Sequence, residues 1–288
     1  MDKEQFLISL MDSVPCKSEV MGILNLDPGS FYTPSISKSI DEAIKKLALW
    51  QQLGLKIIDI GAFTSRPGAE IPSPIDEWNR LSSFLDEIIK AFPALVVSVD
   101  TVHHQTADRA IQMGADIIND ISGGTYDPDL LNVLASNHKT LIAMHMRGTP
   151  KTMQSKENTH YDSVVSELIQ YFAHRLYTFR QAGINRVMID PGFGFSKTLT
   201  DNYKILTQLE LFKILDAPIV VGMSRKSMFW KLLDTSSEHV LGASIAAHTI
   251  AAYKGCKLLR VHDVPECLQA IAVVHMCHEQ FNSKVTEN

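Results

Sequence analysis

Short apolar runs that end in a polar side chain recur along this chain, and each gives way to a helical pattern. Val20-Met21-Gly22-Ile23-Leu24-Asn25 is the first. The stretches 56–61, 95–100, 115–120, 140–145, 186–190, 217–222 and 257–261 follow it. Runs of this length, rich in Ile and Val and bounded by turn formers, read as buried strands. After the first, Ser39 is a plausible N-cap for a helix with Ile40, Ala43, Ile44, Leu47 and Ala48 on one face. Helical patterns also cover about 75–91, 103–113, 127–137, 161–182, 202–215, 229–233, 241–253 and a final stretch to about 281. Such alternation calls for parallel strands joined by right-handed crossovers, and eight of them close as a (β/α)8 TIM barrel. Residues 1–19 read as an N-terminal extension without an obvious chemical role, and 20–288 as a single barrel domain.

The polar residues fall in one place. Asn25, Asp59, Asp100, Asn119, His145, Asp190, Lys226 and Arg260 stand at or just past the C-terminal ends of these strands. In a barrel of this kind those positions ring one mouth, where active sites are built. A single acid at a strand end is often only a helix cap; a whole ring of polar groups is harder to explain that way. The richest stretch is Asp190-Pro191-Gly192-Phe193-Gly194-Phe195, a carboxylate followed by glycines and aromatics. It suits a flat polar ring, whose N–H groups pair with the acid between apolar walls.

Composition narrows the classes. A net charge of −5 with no basic run argues against a general nucleic-acid binder. No apolar stretch is long enough for a membrane span. Asp2, Lys3 and Glu4 are unlike a secretory signal. Cys16, Cys256, Cys267 and Cys277 lack C-x-x-C spacing, so a reduced, cytoplasmic protein is expected. Cys267, His275, Cys277 and His278 sit inside an apolar helical pattern, which favours packing over a metal site.

Motifs then add a resemblance. Met21-Gly22-Ile23-Leu24-Asn25, Arg66-Pro67-Gly68-Ala69, Ser98-Val99-Asp100-Thr101 and Ile118-Asn119-Asp120-Ile121 resemble the dihydropteroate synthases. So do Met144-His145-Met146, Asp190 to Phe195, Ser224-Arg225-Lys226-Ser227 and Arg260-Val261-His262-Asp263, all in family order from about residue 20 to 275. That family condenses 6-hydroxymethyl-7,8-dihydropterin pyrophosphate with p-aminobenzoate, giving 7,8-dihydropteroate and pyrophosphate in folate biosynthesis. Sulfonamides are its inhibitors.

The resemblance implies a pterin deep in the barrel, held by Asp100, Asn119, Asp190 and Lys226 between walls made by Met144 and Phe195. It implies a diphosphate held by Arg260, His262 and Arg66, and by Asn25 through Mg²⁺, which prefers oxygen ligands and phosphate. Ser65, Arg66, Pro67 and Ser227 would shape the p-aminobenzoate pocket. Lys226, Arg260 and Asp100 would carry the catalysis, in which pyrophosphate leaves first and the aniline nitrogen attacks the resulting pterin methylene cation. A homodimer is expected, through helices near the C-terminal end whose apolar surface includes 268–276.

Other readings stand beside these. Asp59 reads first as a tie between strand two and its neighbours, and His145 equally as a core histidine. Arg225 reads as a structural ion-pair partner. Lys226 could be a Schiff-base lysine, although its Ser-Arg-Lys-Ser setting favours the pterin. The loop after Asn25 departs from the family: Asp27, Gly29 and Thr33-Pro34-Ser35 replace its usual residues, and Phe63-Thr64-Ser65 replaces Glu-Ser-Thr in the second loop. A non-catalytic pterin-binding paralogue and a methyltetrahydrofolate methyltransferase-like enzyme are therefore alternatives. Methyl transfer has no need of Arg260, His262 and Arg66 as diphosphate groups.

Overall fold

The computed structural model describes residues 2–12, 17–26 and 39–286, with side chains to 280. The departing residues of the first loop (Asp27, Gly29, Thr33, Pro34, Ser35) and Cys16 lie outside the described residues. Eight strands run β1 Glu19–Asn25, β2 Ile57–Gly61, β3 Val96–Asp100, β4 Ile117–Asp120, β5 Thr140–Met144, β6 Val187–Asp190, β7 Val220–Val221 and β8 Leu258–Val261. All pair in parallel, in the order β6-β5-β4-β3-β2-β1-β8-β7, and a bridge between Ile189 and Ile219 joins the two ends. The ring is closed, as the alternation of strands and helices predicts.

Helices α2 Ile40–Gln52, α3 Pro74–Ala91, α4 His104–Met113, α5 Asp129–Ser136, α6 Val164–Gln181, α7 Leu199–Thr207, α8 Ser227–Leu232, α9 Leu241–Tyr253 and α10 Val264–Thr286 follow the strands. Ser39 caps α2 as expected, its hydroxyl accepting from Glu42 N at 3.2 Å. Among the described residues no helix is long and apolar enough to cross a membrane. Two elements differ from the sequence pattern. The seventh strand shrinks to Val220–Val221, because Pro218 has no N–H to give a ladder. The helix expected over 202–215 divides into α7 and a 3₁₀ segment, Leu209–Leu215, which stops at Asp216 in the left-handed region (φ 48°).

Period-two alternation sorts the strand residues into two cores. Val20, Leu24, Ile58, Ile60, Val97, Val99, Ile118 and Ile189 face outward and pack against the helices. Met21, Ile57, Val96, Ile117, Ile142, Met188, Val220 and Leu258, one from each strand, face inward and form a separate cluster. That inner cluster is completed from the extension. Helix α1, Lys3–Leu10, is a feature that the sequence pattern did not announce. It buries Phe6, Leu7 and Leu10 against the inner ring and so stops the lower end of the barrel. Asp2 caps it by accepting from Gln5 N at 2.8 Å, and Lys3–Asp116 (2.8 Å) and Glu4–Arg186 (3.1 Å) tie it to the barrel.

Candidate active site

Two residues above the apolar ring, the inward positions become Ile23, Asp59, Ser98, Asn119, Met144, Asp190, Gly222 and Arg260. One turn of the strand pattern thus changes a dry floor into a polar layer. Asp59 is fully buried at its centre. It accepts from Ser98 Oγ at 2.6 Å, Asn119 Nδ2 at 3.1 Å and Arg260 Nε at 2.6 Å, so four strands meet on one carboxylate. This is the tie that the sequence suggested, extended to β8. Arg260 Nη2 donates onward to Asp100 Oδ2 at 2.8 Å. Burial works against the Arg260 charge, yet Asp59 and Asp100 together hold its pKa above the ordinary guanidinium value.

Asp100 is the far end of this chain of charges and is itself buried. Burial pushes its carboxyl up to about 7, against the pull of Arg260 and with repulsion from Asp59. Its Oδ1 is buried with no protein partner among the described residues, which marks an acceptor awaiting a donor. Asp190, at the tip of β6, is also shifted upward by burial, opposed by Lys226 and by the Gly192 N–H that bonds its Oδ1 at 2.7 Å. Burial brings Lys226 down to about 8, with Asp190 opposing. These groups line one cavity with Asn25, Asn119, Met144, Phe195 and His262. Met144, Phe195, Phe63 and Ile121 cluster with Met153 as its apolar wall.

The Asp190–Phe195 loop is held by partners from elsewhere. Three successive carbonyls each take a side chain: Phe193 O from Lys226 Nζ (2.5 Å), Gly194 O from Gln154 Nε2 (3.1 Å), Phe195 O from Lys197 Nζ (2.9 Å). Gly192 is required at its position. Its φ is +72°, and a Cβ there would lie 2.2 Å from His145 O. The Lys226 ammonium also stands 4.4 Å from the centre of the Phe195 ring.

A second cleft, about 530 Å³, opens beside the first and shares Ser65, Phe195 and Lys226 with it. Arg66, Pro67, Ser227, Met153, Gln154, Lys197 and Trp230 are among its other lining residues. Gly68 N donates to Pro150 O at 2.9 Å, so the second loop clasps the fifth over this cleft.

The structure therefore brings the six pterin candidates, Asp100, Asn119, Met144, Asp190, Phe195 and Lys226, onto one cavity, together with Asn25, Arg260 and His262. Arg66 is separated from those last three and lies on the second cleft with Ser65, Pro67 and Ser227. Burial, then Arg260, pushes His262 well below the ordinary imidazole range, so its ring is a neutral donor rather than a cation. Arg225 is bidentate to Asp263 (Nε–Oδ2 2.9 Å, Nη2–Oδ1 2.8 Å) and structural. Residue-by-residue reading missed Met153, Gln154 and Lys197, and gave Phe63 no wall role.

For Mg²⁺, the fit rests on oxygen chemistry. Asn25 lines the cavity and brings an amide oxygen to it, while Asp100 Oδ2 is bonded to Arg260. Asp59 is committed to Arg260, so the protein offers a hard oxygen but no anionic cage, which suits an ion delivered with a diphosphate. Among the described residues, His104, Asp127 and Asp129 are close enough to share an ion, but they line neither cavity.

Comparison with known proteins gives a consistent result. A sequence profile for the family described as "Pterin binding enzyme" matches residues 21–262. The dihydropteroate synthase of Escherichia coli (strain K12) is 39% identical over 257 residues, covering 88% of this chain and 90% of the relative. The crystal structure of the Yersinia pestis dihydropteroate synthase with a sulfonamide drug complex superposes with a TM-score of 0.86 at 33% identity, covering 92% and 95% of the two chains. The Xanthomonas albilineans dihydropteroate synthase with 4-aminobenzoic acid gives 0.81 at 32%, covering 91% and 93%.

Proposed function

Since the chain belongs to the pterin-binding enzyme family and matches its dihydropteroate synthases over most of its length, we infer that it is a dihydropteroate synthase. It is a transferase of folate biosynthesis that joins 6-hydroxymethyl-7,8-dihydropterin pyrophosphate to p-aminobenzoate. The observation that carries this reading is the polar layer itself. Asp100 and Asp190 supply acceptors, and Asn119 and Lys226 supply donors, around a slot walled by Met144 and Phe195. A pterin presents the complementary edges: amino and ring N–H donors, and an oxygen and ring-nitrogen acceptors.

In the reaction the C–O bond to the diphosphate breaks and pyrophosphate departs with the electron pair. The aniline nitrogen then forms the C–N bond to the pterin methylene and gives up a proton. Arg260, oriented by two carboxylates, and the neutral His262 ring would donate to the leaving oxygens. Asn25 would be the protein's oxygen on Mg²⁺, which when bound neutralises diphosphate charge. Asp100 and Asp190 would bond the ring and stabilise positive charge developing on it. Ser65, Arg66, Pro67 and Ser227 would hold the aminobenzoate in the adjoining cleft, its amine directed toward the shared wall.

The test is pyrophosphate release from the pterin pyrophosphate with Mg²⁺, with and without p-aminobenzoate. Release coupled to dihydropteroate is the expected result. Pterin binding without turnover would overturn it in favour of a binding paralogue.

We also propose a cytoplasmic homodimer through α9 and α10, where Ile250, Tyr253, Val273 and Met276 are more than two-fifths exposed. Sedimentation velocity at micromolar concentration should show a dimer; a monomer throughout would end the proposal.

A further inference from the structure

Lys197 has no place in the chemistry above, yet it is among the most deeply buried charged residues of the protein, 4% exposed. Its nitrogen lies 3.1 Å from His145 Nδ1, 3.3 Å from His145 O and 2.9 Å from Phe195 O. Three partners exhaust the three positions of a lysine nitrogen, whether charged or neutral. It therefore has no valence left for a substrate, although the residue borders the second cleft.

What it holds matters more. Phe195 lines both cavities. Its backbone turns between two left-handed residues, Gly194 (φ 80°) and Ser196 (φ 47°). Ser196 is not a glycine, so that conformation is disfavoured and persists only where the surroundings impose it. Lys197 reaches back two residues to the Phe195 carbonyl and across to the end of β5, where its other two partners belong to His145. The His145 ring is in turn packed edge-on to Tyr171 at 4.7 Å, which makes the anchor rigid.

We propose that Lys197 is a positioning residue for the reaction: by joining Phe195 to His145 it fixes the Phe195 ring as the common wall of the pterin cavity and the second cleft. The inference rests on the dihydropteroate synthase reading, and its consequence is kinetic. Losing the three bonds lets the wall shift, so both substrates bind less well while the groups that do the chemistry remain.

The experiment is a double-mutant cycle of Lys197→Met and Phe195→Leu, with rates expressed per folded molecule and thermal unfolding recorded for each variant. Lys197→Met should raise KM for both substrates by roughly tenfold or more, with kcat falling much less, as expected for buried hydrogen bonds lost from a binding wall. In the Phe195→Leu background the same change should have little further effect on KM, because the two residues act through one another. Unchanged KM values, or effects that simply add, would overturn the proposal even if the melting temperature falls. Should Lys197→Met fail to fold, Lys197→Gln completes the cycle. Calorimetric titration of 6-hydroxymethylpterin into the same four proteins keeps the two readings apart. A wild-type chain that binds pterin without turnover refutes the function, while the affinity cycle still decides the role of Lys197.

Discussion

Asp59→Ala should lower the unfolding free energy by about 3–5 kcal/mol, the usual cost of removing one partner from a buried ion pair. Asp59 is inaccessible to solvent and gathers Ser98, Asn119 and Arg260, which belong to β3, β4 and β8. Its loss strands a guanidinium at the centre of the barrel with Asp100 as its remaining bonded carboxylate. The activity should be lost as well, since Arg260 and Asn119 are both aimed by Asp59. Urea denaturation checks the first part; a shift of the midpoint at unchanged slope is the expected form. A loss under about 1 kcal/mol would mean that Asp100 suffices to hold Arg260. Asp59→Asn should fall between the two proteins, because it keeps the acceptor and drops the charge.

Lys226→Met should reduce kcat/KM for the pterin substrate by about 10²–10³ while the barrel stays folded, the range seen when one preorganised donor is removed from a reaction site. The substitution keeps the apolar stem beside Phe195 but removes the group that faces Asp190 and bonds the Phe193 carbonyl. The pH dependence supplies the sign. Lys226 is brought to about 8, so its charge is lost as pH rises through that value, and wild-type kcat/KM should fall on the alkaline side with a midpoint near there. On the acid side, Asp100, held up near 7, takes a proton as pH falls and ceases to be an acceptor. The Met variant should lose the alkaline limb and keep the acid one. A variant that retained both limbs would show that another group titrates near 8.

The strand ends were legible because two signals coincide there. A short apolar run locates each strand, and most of these runs end at or near a polar side chain that a dry floor could not tolerate. Other features left no local trace. Asp59 and Arg260 are 201 residues apart, so their pairing follows only from barrel closure. Lys197 stands between Ser196 and Thr198 in a polar stretch, and nothing nearby predicts that it turns inward. Helix α1 is short, and its apolar residues Phe6, Leu7, Ile8 and Leu10 leave Ile8 exposed, so it reads as an extension without an obvious role until a ring of eight inward side chains requires a cover.

That cover makes the barrel a blind well. With the lower end closed by Phe6, Leu7 and Leu10, the described residues leave the upper mouth for traffic, where the two cavities lie side by side and share Ser65, Phe195 and Lys226. A product that joins the two reactants occupies both cavities at once, so it must clear that mouth before either can be refilled.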